Sequence, residues 1–390
     1  MQTQHQILFE DSRDIQALAQ DSIDLVVTSP PYPMIAMWDQ VFAAMAPGVE
    51  KALAKGNGPA AYEMMHSQLD RVWHGIYRVL KPGGFACINI GDATRTLDSH
   101  FMLYPNHARI MSCLLALGFT PLPAVLWRKQ TNAPNKFMGS GMLPAGAYVT
   151  LEHEYILVVR KGGKRVFKTP EEKQRRHESA FFWEERNQWF SDIWMDLKGT
   201  RQKITDAALR LRSGAFPFEL PYRLICMYSV KEDTVLDPFM GIGTTALAAM
   251  AAGRNSVGFE IETGFAPVID LRADAIVPFS NTVISQRLAQ HQDFITQRLE
   301  NNKPVKHTNR HYSFPVITSQ EKALLLNRPL AVKKVSKNGF QVDYADGPAY
   351  PEKTKTGDTA PAKAAKTGEQ APGKIRKGTR GEQLDLFDSV

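Results

Sequence analysis

Short apolar runs, each closed by turn formers or charges, recur along the first 260 residues: Gln6–Phe9, Leu25–Thr28, Phe85–Ile90, Pro123–Arg128, Tyr155–Val159, Thr234–Asp237 and Asn255–Glu260. Runs of this length, rich in Val, Ile, Leu or Phe, predict seven buried β-strands. Helical patterns lie between many of them. Leu69–Leu80 places apolar residues at 69, 72, 73, 76, 79 and 80, close to one helical face. Lys81-Pro82-Gly83-Gly84 is expected to stop that helix and turn the chain into the next strand. Asn106–Leu117 repeats the arrangement and ends at Gly118. Strands alternating with helices predict an α/β fold: an open, doubly wound, mostly parallel sheet.

Three stretches interrupt the rhythm. Residues 34–66, rich in Met and Ala, read as a helical insertion beside the first strand ends. Residues 129–150 and 160–215 mix Lys, Arg, Asn and Gly with the aromatics Phe181, Phe182, Trp183, Trp189, Phe190 and Trp194. After about residue 271 the pattern changes: Ser280–Asn301 reads as one amphipathic helix, and 311–345 as a few short β segments. The expected organisation is a main domain over 1–270, a C-terminal helix with a small β extension over 271–345, and a linker over 346–381. That linker is Lys, Thr, Ala, Gly and Pro with almost no large apolar residue, so it cannot offset its ordering entropy. Residues 382–390 follow it and carry three large apolar side chains.

Composition excludes several classes. No apolar run approaches the roughly 18 residues that span a bilayer, and the first residues lack a basic segment followed by an apolar one. The three cysteines, Cys87, Cys113 and Cys226, lie far apart in apolar surroundings, which argues for a reducing cytoplasm rather than a disulfide framework or a metal knuckle. His153 sits in Glu-His-Glu and not in a zinc-binding HExxH, so no metal is expected. The net charge of +7 is unevenly spread along the chain. Residues 351–381 carry six Lys and two Arg against three acids, and the last nine residues are acidic. The remainder is mildly basic, compatible with a polyanionic partner but not diagnostic of one.

Two constellations carry candidate chemistry. In residues 234–253 an apolar strand runs into Asp237-Pro238-Phe239, then Gly241-Ile242-Gly243-Thr244-Thr245-Ala246, then an Ala-rich helix. This is G-x-G-x-x-A in its strand–turn–helix setting. Glu260, at the end of the next strand, suits two neighbouring ribose hydroxyls, so an adenosine-bearing cofactor is expected. No Lys-Ser/Thr follows the glycines, which excludes a P-loop. Taken alone, the turn would also serve a nicotinamide oxidoreductase. The second constellation is Asp24-Leu25-Val26-Val27-Thr28-Ser29-Pro30-Pro31-Tyr32, a buried strand ending in a polar residue, two prolines and a ring. The prolines stiffen the loop and remove N–H donors. A rigid loop offering acceptors and one ring suits a planar group bearing an amine, which a nicotinamide enzyme does not require.

With both loops in view, the chain resembles the DNA amino-methyltransferases that use S-adenosylmethionine. Thr28-Ser29-Pro30-Pro31-Tyr32 is similar to their catalytic loop and Asp237–Thr245 to their cofactor loop. Their order, catalytic loop first, resembles the circularly permuted β group. The match extends over residues 1–270, with a target-recognition region inserted at about 129–215. The resemblance implies a flipped-out base in duplex DNA, with Ser29 and the Pro30 carbonyl accepting its amino hydrogens, Pro31 stiffening the loop and Tyr32 stacking on the ring. It further implies S-adenosylmethionine held by Phe239, Gly241, Gly243 and Thr244, with Asp237 at the strand end, Glu260 at the ribose and Asp11 at the adenine edge. Phe216, Pro217 and Glu219 are expected to close over the amino-acid end of the cofactor. Ser at the first loop position leans toward cytosine N4, with adenine N6 as the alternative. Carbon-5 chemistry is disfavoured because none of the cysteines follows a proline. Finally, Gln383, Leu384, Leu386 and Phe387 resemble the short peptide that docks on the bacterial replicative sliding clamp, and the linker makes a suitable tether.

Overall fold

The computed structural model describes residues 1–129, 138–199 and 216–348, and its centre is one ten-stranded sheet. In chain order the strands are β1 (Gln2–Leu8), β2 (Ile23–Thr28), β3 (Leu80–Ile90), β4 (Phe119–Arg128), β5 (His153–Lys161), β6 (Ile193–Trp194), β7 (Thr234–Asp237), β8 (Asn255–Phe259), β9 (Asn327–Ser336) and β10 (Gly339–Pro348). They lie side by side in the order β6-β4-β5-β3-β2-β7-β8-β1-β10-β9. The middle five, β3, β2, β7, β8 and β1, are parallel, so their carboxyl ends share one edge. β5 runs antiparallel between β3 and β4 and brings its amino end to that same edge. β2 is buried at every residue, as a parallel strand covered on both faces must be.

The helices that matter for the site are α1 (Asp39–Met45), α2 (Gly48–Ala54), α3 (Gly58–Val79), α4 (Asn106–Ala116), α5 (Pro170–Glu178), α6 (Trp183–Trp189), α7 (Glu219–Tyr228), α8 (Thr244–Ala252), α9 (Ala266–Asp274) and α10 (Ile276–Glu300). The side chain of Asn57 caps α3 by accepting from the Ala60 N–H at 3.2 Å, satisfying one of the first-turn donors. Ala61, Met65, Leu69, Val72, Ile76 and Val79 recur every three or four residues and are buried, so this stripe seals α3 against one face of the sheet. Trp73, fully buried, meets the ring of Phe239 edge-on at 6.2 Å. On the opposite face α8 is buried almost throughout; its alanines let it lie close on the strands.

Several expectations change. The sheet has ten strands rather than seven, because Ile193–Trp194 extends one edge and β9 and β10 extend the other. In residues 271–345 the helix α10 is followed by β9 and β10, and β10 joins the main sheet: it pairs with β1 from Gln2↔Asp343 to Gln6↔Gly339 and continues to Pro348, past the expected start of the linker at 346. Lys81–Gly84 does not form a turn between helix and strand. α3 ends at Val79 and β3 begins at Leu80, with the extra residues absorbed by a register shift between Ile23↔Leu80 and Leu25↔Phe85.

Within the stretch 129–215, the strand expected at Tyr155–Val159 is β5, an inner strand of the sheet. The parts of that stretch at 130–137 and 200–215 lie outside the described residues. Phe182, Trp189 and Trp194 are buried in the core. Glu185 of α6 accepts two hydrogen bonds from Arg287 of α10, at 2.6 and 2.7 Å. That guanidinium sits over the rings of Trp189 and Tyr222, so both charges are buried only as a fully bonded pair. The three cysteines are free. Among the described residues no helix is long and apolar enough to cross a membrane.

Candidate active site

The loops leaving β1, β2, β7 and β8 enclose a cavity of about 340 Å³ at the carboxyl edge of the sheet, where open α/β folds bind their ligands. It is lined by Asp11 and Arg13 after β1, by Ser29, Pro30, Pro31 and Tyr32 after β2, and by Asp237, Phe239, Gly241 and Thr244 after β7. Glu260 and Glu262 after β8, Phe216, Lys129 and Glu154 complete the polar and closing walls. Ile35, Trp38, Val41, Phe42 and Met45, in and before α1, supply an apolar wall, which gives the insertion at 34–66 a place in the site. Three expected residues do not line the cavity. Gly243 caps α8 in a left-handed conformation. Glu219 sits on the first turn of α7, bonded to Arg223. Pro217 is buried and accepts the Leu220 N–H at 3.1 Å.

The two loops meet because β2 and β7 are neighbours, with Leu25 opposite Val235 and Val26 opposite Leu236. Thr28 Oγ1 donates to Asp237 Oδ1 at 2.6 Å, and the same oxygen accepts the Phe239 N–H at 3.1 Å. Asp237 thus ties the end of one motif to the start of the other across 209 positions of sequence. Burial raises its carboxyl to about 6, against the opposing pull of bonds from Thr28, Thr245 and Phe239.

Gly241 has φ +54°, a conformation that disfavours any side chain, and no atom lies within 4 Å of where its Cβ would be. Its bare backbone borders the cavity and leaves room for close approach by a ligand. Its N–H donates to Glu260 Oε2 at 2.7 Å, and the Glu262 N–H donates to Oε1 at 2.8 Å. Each oxygen therefore keeps acceptor capacity for a further donor such as a hydroxyl. Burial raises the Glu260 carboxyl above its usual range while those N–H bonds restrain it. Asp11 is gripped side-on by Arg13, with contacts at 2.6 and 2.8 Å to one oxygen. Partial burial pushes its carboxyl up, but the Arg13 bonds outweigh it and hold it below the usual range.

Behind the Ser29–Tyr32 loop lies a group that the sequence reading did not single out as a unit. Tyr32 Oη donates to Glu154 Oε2 at 2.9 Å. Asn89 Nδ2 reaches both Tyr32 Oη, at 2.9 Å, and Glu154 Oε2, at 2.7 Å. Lys129 Nζ pairs with Glu154 Oε1 at 3.1 Å. Asn89 stands near the end of β3 and Glu154 near the start of β5. A carboxylate opening an otherwise apolar strand, Glu154 before Tyr155–Val159, is the signal in the sequence that points to it, since such a charge needs a partner.

Comparisons with known proteins agree with this geometry. The DNA methylase family of the N6/N4 type matches residues 23–270. The Type II methyltransferase M.MthZI of Methanothermobacter thermautotrophicus is 49% identical over 347 residues, covering 89% of this chain and 96% of that protein. M.MjaI of Methanocaldococcus jannaschii, also a Type II methyltransferase, is 46% identical over 279 residues, 69% of this chain and 90% of that one. Among solved structures, the putative DNA modification methylase TTHA0409 of Thermus thermophilus, crystallised with S-adenosyl-L-methionine, superposes with a TM-score of 0.55. It is 32% identical and covers 70% of this chain and 96% of its own. With a matching family over both loops and a relative aligned along nearly its full length, the chain belongs to the N6/N4 DNA methylase family.

Proposed function

We propose that this protein methylates the exocyclic N4 of cytosine in duplex DNA, with S-adenosylmethionine as methyl donor. The observation that carries the reading is one cavity bordered on one side by the Gly241–Glu260 cradle and on the other by the Ser29–Tyr32 loop. The cradle fits the donor: Gly241 lets a ligand approach the backbone, and Glu260 retains acceptors for the paired hydroxyls of a ribose. When bound there, the cofactor supplies a methyl group activated by its sulfonium.

The residues of the chain do the rest by positioning. A base in the stack hides its amine, so the target nucleotide must be extruded into the cavity. The ring of Tyr32 offers it a stacking face, with the apolar wall of Ile35, Trp38 and Phe42 nearby. The amine is a poor nucleophile because its lone pair is delocalised into the ring. Ser29 Oγ and the Pro30 carbonyl accept its two hydrogens, which draws the nitrogen toward a tetrahedral shape and turns the lone pair outward. Pro31 keeps that loop from relaxing. The choice of cytosine rests on Ser at the first loop position. The amino-acid end of the donor falls to Phe216, which borders the cavity.

The experiment is methyl transfer from labelled S-adenosylmethionine to duplex DNA, run beside Ser29→Ala. Wild-type reactions should incorporate label. Transfer by the variant should fall by about 10-fold to 100-fold, the worth of a lost hydrogen bond in a site of this kind, with cofactor affinity retained. Equal loss of turnover and cofactor binding would contradict the role given to Ser29.

A further inference from the structure

We infer that Glu154 is a positioning residue that, through the hydroxyl of Tyr32, sets the Ser29 hydroxyl as a hydrogen-bond acceptor toward the target amine. The inference rests on the reading of Ser29 as the group that receives an amino hydrogen. It adds what makes that serine an acceptor at all, since a hydroxyl can equally donate.

The direction of every bond follows from proton bookkeeping. Glu154 as a carboxylate has no proton to give, so across the 2.9 Å contact Tyr32 must donate. Burial and then the neighbouring Glu154 charge push the Tyr32 phenol well above its usual range, so the ring keeps the proton it donates. Asn89 Nδ2, a donor only, fills one acceptor position of the phenol oxygen at 2.9 Å and spends its other hydrogen on Glu154. With its own proton committed to Glu154, Tyr32 Oη can only accept from Ser29, whose Oγ lies 3.1 Å away. Ser29 thereby loses its donor to Tyr32, and both lone pairs of Oγ remain for the amine. Reverse the polarity at Glu154 and the serine would face the base with a hydrogen, opposing the amine it has to engage.

The packing supports a fixed geometry. A Cβ on Gly91 would stand 3.0 Å from the Tyr32 ring and 3.4 Å from the Glu154 side chain, so the bare glycine lets both settle against the end of β3. Lys129 holds the second oxygen of Glu154. The chain Glu154–Tyr32–Ser29 is thus anchored on two inner strands, β3 and β5, rather than on the loop it orients.

The test compares single-turnover methyl transfer to sheared genomic duplex DNA, at saturating S-adenosylmethionine, for the full chain and five variants: Ser29→Ala, Tyr32→Phe, Glu154→Gln, Glu154→Ala and the double variant Ser29→Ala/Tyr32→Phe. Cofactor binding by calorimetry is the second readout. Tyr32→Phe keeps the ring and removes only the hydroxyl. It should slow transfer by about 10-fold with cofactor affinity unchanged. Glu154→Ala should match it, whereas Glu154→Gln, whose amide oxygen still accepts the phenol proton, should recover most of the rate. Once Ser29 is alanine, Tyr32→Phe should cost nothing further, because the hydroxyl acts through Ser29. The inference is overturned if Tyr32→Phe transfers at the wild-type rate, if it costs the same factor with and without Ser29, or if Gln at 154 is as poor as Ala. A full rate in Ser29→Ala would instead sink the reading of Ser29 itself.

Discussion

Asp237 should make the protein less stable than it need be at neutral pH, and the size of the effect follows from its surroundings. The carboxyl is buried and its folded value is raised from 3.8 to about 6. A raised acid binds its proton more tightly in the folded state. Its contribution is therefore most favourable below pH 3.8, is lost as pH rises through the window from 3.8 to about 6, and is fully absent above it. A rise of that size is worth roughly 3 kcal/mol. Asp237→Asn keeps the oxygen that accepts from Thr28 and the Phe239 N–H and removes the titration. The stability advantage of the variant should therefore grow by about 2 kcal/mol between about pH 4.5 and about pH 7.5. With an unfolding entropy of about 2.1 cal/mol/K per residue over the described chain, that is near 3 °C in Tm. Differential scanning calorimetry of cofactor-free wild type and variant at several pH values measures the gap. A gap that stays constant across that range, or narrows as pH rises, would refute the reasoning.

Gly241→Val places a β-branched side chain at φ +54° beside the cavity, and calorimetric titration should find S-adenosylmethionine binding abolished; retained binding would mean the cradle is misplaced. Trp73→Ala empties a fully buried site against Phe239 and should cost about 3–5 kcal/mol, read as a lowered denaturant midpoint; a loss under about 1 kcal/mol would contradict that packing. The tail carrying Gln383, Leu384, Leu386 and Phe387 lies outside the described residues, and its expected role is to dock on a replicative sliding clamp. A peptide of residues 381–390 should bind purified bacterial clamp in a fluorescence-anisotropy titration, and no binding beside a working control peptide would end that proposal.

What could be read from the sequence was what short-range chemistry dictates. The stripe from Leu69 to Leu80 repeats at helical spacing. The turn at Gly241 needs a conformation other residues resist, and two successive prolines after β2 fix a loop wherever they occur. Each signal fits within a short stretch of chain. The rest depends on pairings that sequence spacing does not encode. Thr28 meets Asp237, and Tyr32 meets Glu154 122 positions away, only once β2 lies between β3 and β7. The hairpin of β9 and β10 completes the sheet because β1 presents it a free edge, a fact visible only after β8 has taken the other side of β1. Phe182, Trp189 and Trp194 stand among basic neighbours in the stretch where target recognition was expected. They lie in the core through distant partners: Trp189 under the Arg287 guanidinium that pairs with Glu185, Phe182 stacked on His291, and Trp194 under Arg223.

The central claim is a methyl group placed on the amine of cytosine. Incubating the purified protein with S-adenosylmethionine and mixed-sequence duplex DNA, digesting the DNA to nucleosides and resolving them by mass spectrometry tests it most directly. The expected product is N4-methylcytosine, absent when Gly241 is replaced by valine. N6-methyladenine would contradict the choice of base while keeping the loop chemistry, and 5-methylcytosine would contradict the mechanism built on Ser29 and Tyr32.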